Sequence, residues 1–215
     1  NQRVMEASLL TQPTPKVEAI LSKMTLEEKV GQMAQITLDV ITEGDNVFSS
    51  DEPLKLDLEL VREAILDHKL GSIINTANNR ARTPEKWNEI ISQIQDIAVN
   101  ESRLGIPIIY GIDAIHGATY TAGATFFPQE IGMAATWNPD LVKSAAEITA
   151  YETRASGIPW NFSPVLDLGR DPRFPRMWET FGEDVYLATE MGRQMIIGYQ
   201  GIKNDVSQPY KVAAT

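Results

Sequence analysis

Two short segments hold residue types able to grip a polar ligand. Gly111-Ile112-Asp113-Ala114-Ile115-His116-Gly117 follows the apolar run Ile108-Ile109-Tyr110, so a carboxylate and an imidazole leave a strand end between two glycines. In parallel α/β folds ligands sit where strands end, and glycine permits the tight backbone path such a site needs. Asp113 reads either as a ligand contact or as the cap of the following turn. His116 reads either as a second contact or as a ring bonded to a backbone carbonyl. The second segment, Asp167 to Arg176, follows Val165-Leu166 and packs Arg170, Arg173, Arg176, Asp167, Asp171 and two prolines into ten residues. It is either a rigid loop tied by its own ion pairs or a loop that offers an arginine to a ligand. Arg154 lies near a helix end, where a cation complements the macrodipole. Aromatic residues gather near the same strand ends, among them Tyr110, Tyr120, Trp160, Phe162 and Trp178. Such rings stack on the C–H face of a sugar while carboxylates and arginines take its hydroxyls, although most are expected in the core.

The elements that must position these residues alternate. Thr25-Leu26-Glu27-Glu28 is a capping box, and Leu26, Val30, Met33 and Ala34 share one face of a helix expected over about 26–35. Residues 42–51 are loop and 58–67 another helix. Gly71 to Asn75 is strand-like; Thr83-Pro84 then starts a helix expected to bury Trp87, Ile90, Ile91, Ile94, Ile97 and Ala98. Further strands centre near residues 108, 161 and 212, with helices from Asn138-Pro139 to Gly157 and from Asp184 to about Gly198 between them. A possible strand at 34–39 makes four or five. Strands joined by helices of this length need right-handed parallel crossovers, so the class is α/β. Residues 1–15 read as a lead-in arm. The 215 residues amount to about 1.4 average domains, yet the strand count falls short of the eight of a barrel.

Composition narrows the chemistry. Lys and Arg total 19 against 29 Asp and Glu, a net charge of -10 that repels phosphate backbones, so no nucleic-acid partner is expected. There is no cysteine, hence no disulfide or thiolate chemistry, and the two histidines, His68 and His116, give a zinc site little to build on. No metal and no cofactor are expected. No apolar run approaches the ~18 residues of a membrane-spanning helix. GxGxxG, GxxxxGK[ST] and GxSxG are all missing. Work by carboxylates remains.

Met24 to Gln32, Gly111 to Gly117, Thr153-Arg154-Ala155-Ser156-Gly157-Ile158-Pro159, and Arg170-Asp171-Pro172-Arg173 with Phe181-Gly182-Glu183-Asp184 together resemble the N-terminal part of a family 3 glycoside hydrolase. The resemblance spans about residues 16–215. It implies the N-terminal part of a (β/α)8 TIM-type barrel, followed in full-length members by a second α/β domain. It also implies retaining, exo-acting hydrolysis of β-linked sugars from the non-reducing end, in a periplasmic or secreted protein. By that likeness Asp113 matches the aspartate that bonds outer glycone hydroxyls, and Arg154 an arginine of the same subsite. His116 and Arg170 are weaker candidates. Family β-xylosidases tend to carry glutamate in place of Asp113, leaving less room for a C6 hydroxymethyl, so aspartate favours a β-glucoside from β-glucan or xyloglucan. The hexosaminidase branch resembles the chain less. Phe174 and Pro175 depart from the Trp-Gly usual in the family. The nucleophile and the acid/base residue are expected beyond Thr215, so catalytic residues within the chain are none. The expected partners are the sugar, the rest of the barrel and the second domain. A β-xylosidase, a β-N-acetylhexosaminidase or a non-catalytic sugar-binding fragment are the alternatives.

Overall fold

An arm through Pro15 is expected from composition, yet Thr14-Pro15 is itself a helix start. In the computed structural model, which describes residues 14–215, the Thr14 hydroxyl accepts the Val17 N–H and opens α1 (Pro15–Leu21). The rest of the arm lies outside the described residues. The capping box forms at α2 (Leu26–Gly31): Glu28 N–H donates to Thr25 Oγ1 at 3.2 Å and Thr25 N–H to Glu28 Oε2 at 2.8 Å. The face, however, is reversed. Leu26, Val30 and Met33 are 73%, 54% and 80% exposed, while Glu28 and Gly31 are buried. Two contacts outweigh the apolar stripe: Arg103 Nε donates to Glu28 Oε1 at 2.9 Å, and Gly31 meets the backbone of His68–Lys69 so closely that a Cβ would lie 2.5 Å from it. The Arg103 guanidinium, with the Thr25 N–H, holds the Glu28 carboxyl down at about 2.

Strand β1 (Gln35–Thr37) confirms the possible strand near 34–39. The polar loop after it is fastened at its far end by Glu52, whose carboxylate takes both arms of the buried Arg82 guanidinium at 2.8 and 2.7 Å. The helix expected over 58–67 appears as α3 (Leu58–Arg62), capped by Asp57, running into one π turn, Glu63–Asp67. After β2 (Ser72–Ile74), α4 (Pro84–Asn100) starts at Thr83-Pro84 and buries all six expected residues, Trp87 to Ala98. Then come β3 (Ile109–Ile112), the short α5 (Glu130–Ala134), and α6 (Pro139–Ala155), which the Asn138 side chain caps. The chain finishes with β4 (Trp160–Asn161), α7 (Val185–Gln200) capped by Asp184, and β5 (Ala213–Ala214).

The five strands form one parallel sheet in sequential order, with Gln35 level with Ser72 and Ile109, and Gly111 level with Trp160 and Ala213. Side chains alternate across it. Ile73 and Tyr110 point to the helices and are buried, whereas Ile109 points to the other face and is 53% exposed. One core packs α4 on the first three strands; a second gathers Met133, Phe181, Met191, Met195 and Tyr199 among α5, α6 and α7. Gly111 has no side chain because Trp160 and Phe162 lie over it, with a Cβ there 2.5 Å from the Phe162 ring. The architecture is a (β/α) succession whose strands all exit at one pole.

The Arg82 guanidinium holds the Glu52 carboxyl down at about 2. A lowered carboxyl stabilises the fold above its ordinary value near 4.5 and loses that contribution as pH falls towards 2. Glu52→Gln is expected to lower the denaturation midpoint at pH 6 by much more than at pH 2. A difference independent of pH contradicts the pairing.

Candidate functional site

Three strand exits are tied by side-chain amides. Asn75, the first residue beyond β2, adopts φ 60°, a left-handed conformation that asparagine tolerates better than most residues. Its N–H donates to Gly111 O at 3.0 Å, and its carbonyl accepts the hydroxyl of buried Tyr110 at 2.5 Å. Burial raises the Tyr110 phenol well above its usual range, which keeps it a donor. The Asn75 side chain then meets Asp113 twice: Nδ2 donates to Asp113 Oδ2 at 2.7 Å, and Oδ1 accepts the Asp113 N–H at 2.9 Å. Asn161, fully buried at the end of β4, grips the next residue in the same way. Its Oδ1 accepts the Ala114 N–H at 2.8 Å and its Nδ2 donates to Ala114 O at 3.1 Å.

Asp113 therefore caps no turn. It is half-buried, with one oxygen fixed by an amide and, among the described residues, no donor on the other. A carboxylate is acceptor-only, so the open oxygen suits a hydroxyl or an N–H. Tyr120, partly buried, stands near enough for the field of Asp113 to add to the effect of burial in raising its phenol. His116 follows the plainer reading: Nδ1 lies 3.0 Å from Phe127 O, and since a carbonyl only accepts, Nδ1 carries the hydrogen.

The arginine loop is largely tied to itself. Arg173 bonds Asp171 through Nε at 3.0 Å, but both are well exposed, so the pair adds little stability. Arg176 Nε donates to Glu179 Oε2 at 2.5 Å. Glu179 holds the Arg176 proton more firmly than usual, and the fields of Asp113 and Asp167 add smaller contributions. Arg170 is exposed, with no side-chain partner among the described residues. Arg154 occupies the last turn of α6, on the side where the chain enters β4, whereas Asp113 stands where it leaves β3. The structure does not bring Arg154 to Asp113. Its place suits the helix C-terminus, whereas Arg176 is an arginine on which the field of Asp113 acts. Lying between two prolines' worth of rigid loop and a paired glutamate, Arg176 was legible in sequence only as one of three equivalent arginines.

Asn75 and Asn161 escaped the sequence reading because an asparagine ending an apolar run looks like ordinary turn chemistry. No group of three or more His, Asp or Glu side chains able to hold a metal gathers among the described residues. A cavity of about 260 Å³ lies at the opposite pole, where Glu28 and Arg103 anchor α2, and shares no residue with the strand exits.

Residues 25–215 match the Glycosyl hydrolase family 3 N terminal domain. The chain belongs to glycosyl hydrolase family 3. A lysosomal beta glucosidase of Dictyostelium discoideum is 36% identical over 200 residues, covering 90% of this chain and 24% of that protein. A putative beta-xylosidase of Formosa agariphila is 35% identical over 188 residues, 86% of this chain and 23% of its own length. Among solved structures, a variant beta-glucosidase from Listeria innocua in complex with laminaribiose is 30% identical with a TM-score of 0.72, over 94% of this chain and 26% of that one. The chain thus spans about a quarter of the relatives it matches. Its five parallel strands and outer helices are the N-terminal part of the TIM-type barrel of family 3.

Asn161→Ala removes the partner of the Ala114 N–H and one of two donors to Ala114 O, which keeps the Tyr199 hydroxyl at 3.4 Å, in a site closed to solvent. The expected loss of stability in a denaturant titration is about 1–3 kcal/mol, one buried backbone N–H left unpaired. A loss below about 0.5 kcal/mol, the scale of an ordinary surface change, contradicts the tie.

Proposed function

We propose that this family 3 chain supplies the glycone-binding part of a retaining, exo-acting β-glucosidase that removes terminal non-reducing β-D-glucosyl residues from β-glucan or xyloglucan oligosaccharides. The observation that carries the proposal is Asp113: one oxygen pinned by Asn75, the other open, at the pole where β2, β3 and β4 exit. Sugar hydroxyls donate to such an oxygen, and Arg176 nearby supplies N–H groups for sugar oxygens. The rings of Trp160 and Phe162, 4.4 Å apart over Gly111, give the same face an apolar surface. Aspartate rather than glutamate leaves room for a hydroxymethyl group.

Retaining hydrolysis needs two carboxyls about 5–5.5 Å apart, one to attack the anomeric carbon and one to protonate the leaving oxygen. Asp113 is committed to Asn75, and Glu179 to Arg176. Following the family likeness, the proposal draws the nucleophile and the acid/base residue from outside these 215 residues, on further barrel strands and a second α/β domain that would also cover Ile109 and the free edges of β1 and β5. Names of relatives that include periplasmic β-glucosidases support a periplasmic or secreted setting. The β-xylosidase relatives favour a second reading, in which the glycone is xylose.

One hybrid separates the two. Residues 25–215 replace the matching segment of the Dictyostelium relative, and turnover of p-nitrophenyl β-glucoside, β-xyloside and N-acetyl-β-glucosaminide is compared. The glucoside is expected to be preferred, Asp113→Asn to lower kcat/KM by about a hundredfold through lost charge-assisted bonds, and Asp113→Glu to move preference towards the xyloside. The unmodified 215-residue chain is expected to be inactive. Preference for the xyloside or the N-acetylglucosaminide, or indifference to Asp113→Asn, overturns the reading.

A further inference from the structure

Glu130 opens α5 and is fully buried, and among the described residues no cation bonds to it. Its Oε1 accepts the Val165 N–H at 3.0 Å, while its Oε2 is closed to solvent and has no partner among the described residues. Burial with a single N–H is far too little to offset the loss of water around an anion, so the group is held as the neutral acid. The titratable groups that face it add no positive charge. Glu179, on the 3-10 turn Met177–Glu179 packed against α5, is another carboxylate. Tyr199 of α7 is a buried phenol whose hydroxyl pairs with Ser163 at 2.9 Å. The buried face of α6 presents Val142, Ala145, Ala146, Thr149, Ala150 and Thr153, none of which titrates.

Glu179 is also the partner of Arg176, the arginine on which the fields of Asp113 and Asp167 act. The 3-10 turn packed against α5 therefore links the element that carries the buried acid to Arg176. We infer that Glu130 is a positioning residue for the site: as a neutral acid it secures the exit of β4 through Val165 and leaves Glu179 free to hold Arg176 towards Asp113. When Glu130 ionises, a second negative charge appears under Glu179 with no cation of its own. Glu179 and Arg176 then rearrange, and the 3-10 turn that carries Trp178 between them moves. Burial, with a smaller push from Glu179, raises the Glu130 carboxyl to about 9, so the change falls in mildly alkaline solution.

The test uses the 215-residue chain labelled with 5-fluorotryptophan, following the Trp178 fluorine resonance from pH 6 to 10.5. The wild type is expected to show a step with its midpoint near 9. Glu130→Gln, which keeps the acceptor for Val165 but carries no titrating proton, is expected to abolish the step and retain the pH 7 resonance. A flat wild-type profile, or an unchanged step in Glu130→Gln, overturns the inference. A second readout rests on the sugar-binding reading: glucose affinity is expected to fall by about tenfold across the same pH range in the wild type and to stay level in Glu130→Gln. If glucose binds with a pH dependence unaffected by Glu130→Gln, the positioning role fails. If glucose binds at no pH, it is the sugar-binding reading that fails, and the fluorine profile still decides the role of Glu130.

Discussion

The geometry of the site depends on one bidentate contact, the Asn75 amide against the Asp113 carboxylate and N–H. The strands here are two to four residues long, so ladder hydrogen bonds alone fix their ends poorly. Asn75 converts the end of β2 into a template for the end of β3, and it does so twice over, through its backbone to Gly111 and through its side chain to Asp113. Asn161 repeats the device from the other side, on Ala114. A carboxylate that leaves a strand freely would sample many rotamers; this one has a single oxygen bound and a single oxygen presented. The order needed for recognition is built before any ligand arrives, which is the cheapest way to gain affinity for a flexible, heavily hydrated sugar.

Packing behind the exits serves the same end. Gly111 gives up its side chain so that Trp160 and Phe162 lie across the strand, and Trp160 Nε1 donates to Thr215 Oγ1 at 2.5 Å, linking β4 to the residue after β5. Beneath the arginine loop, Thr180 and Phe181 are buried and Gly169 N–H bonds Gly182 O at 3.0 Å, so the loop is anchored at both ends while its tip stays exposed. Ion pairs at that tip are solvent-screened and act as local shape; the arginine that matters electrostatically is the one whose partner, Glu179, is itself mostly buried.

The sequence was readable where one physical effect dominated. The long apolar stripe of α4, with a Thr-Pro start, had no competitor, and all six of its residues are in the core. On α2 the same pattern failed, because a six-residue helix carries too little apolar area to outweigh an ion pair and a glycine contact on its other face. Asp113 was legible from its place after an apolar run, and its open oxygen agrees with the role the family likeness implies. His116 took the carbonyl that chain-local chemistry offers. Arg154 lies in the last turn of α6, on the entry side of β4, away from the strand exit that carries Asp113. Asn75, Asn161 and Glu130 were not legible, since each acts through a partner 35 or more residues away, which leaves no periodic trace.

The most direct measurement is a double-mutant cycle on Asn75→Ala and Asp113→Asn, reading the glucose inhibition constant of the hybrid enzyme carrying residues 25–215. If Asn75 acts by aiming Asp113, Asn75→Ala weakens glucose binding in the Asp113 background and has almost no further effect once Asp113 is asparagine. Equal losses in both backgrounds would show two independent contributions, and the account of the strand exits as a single preorganised receptor would be wrong.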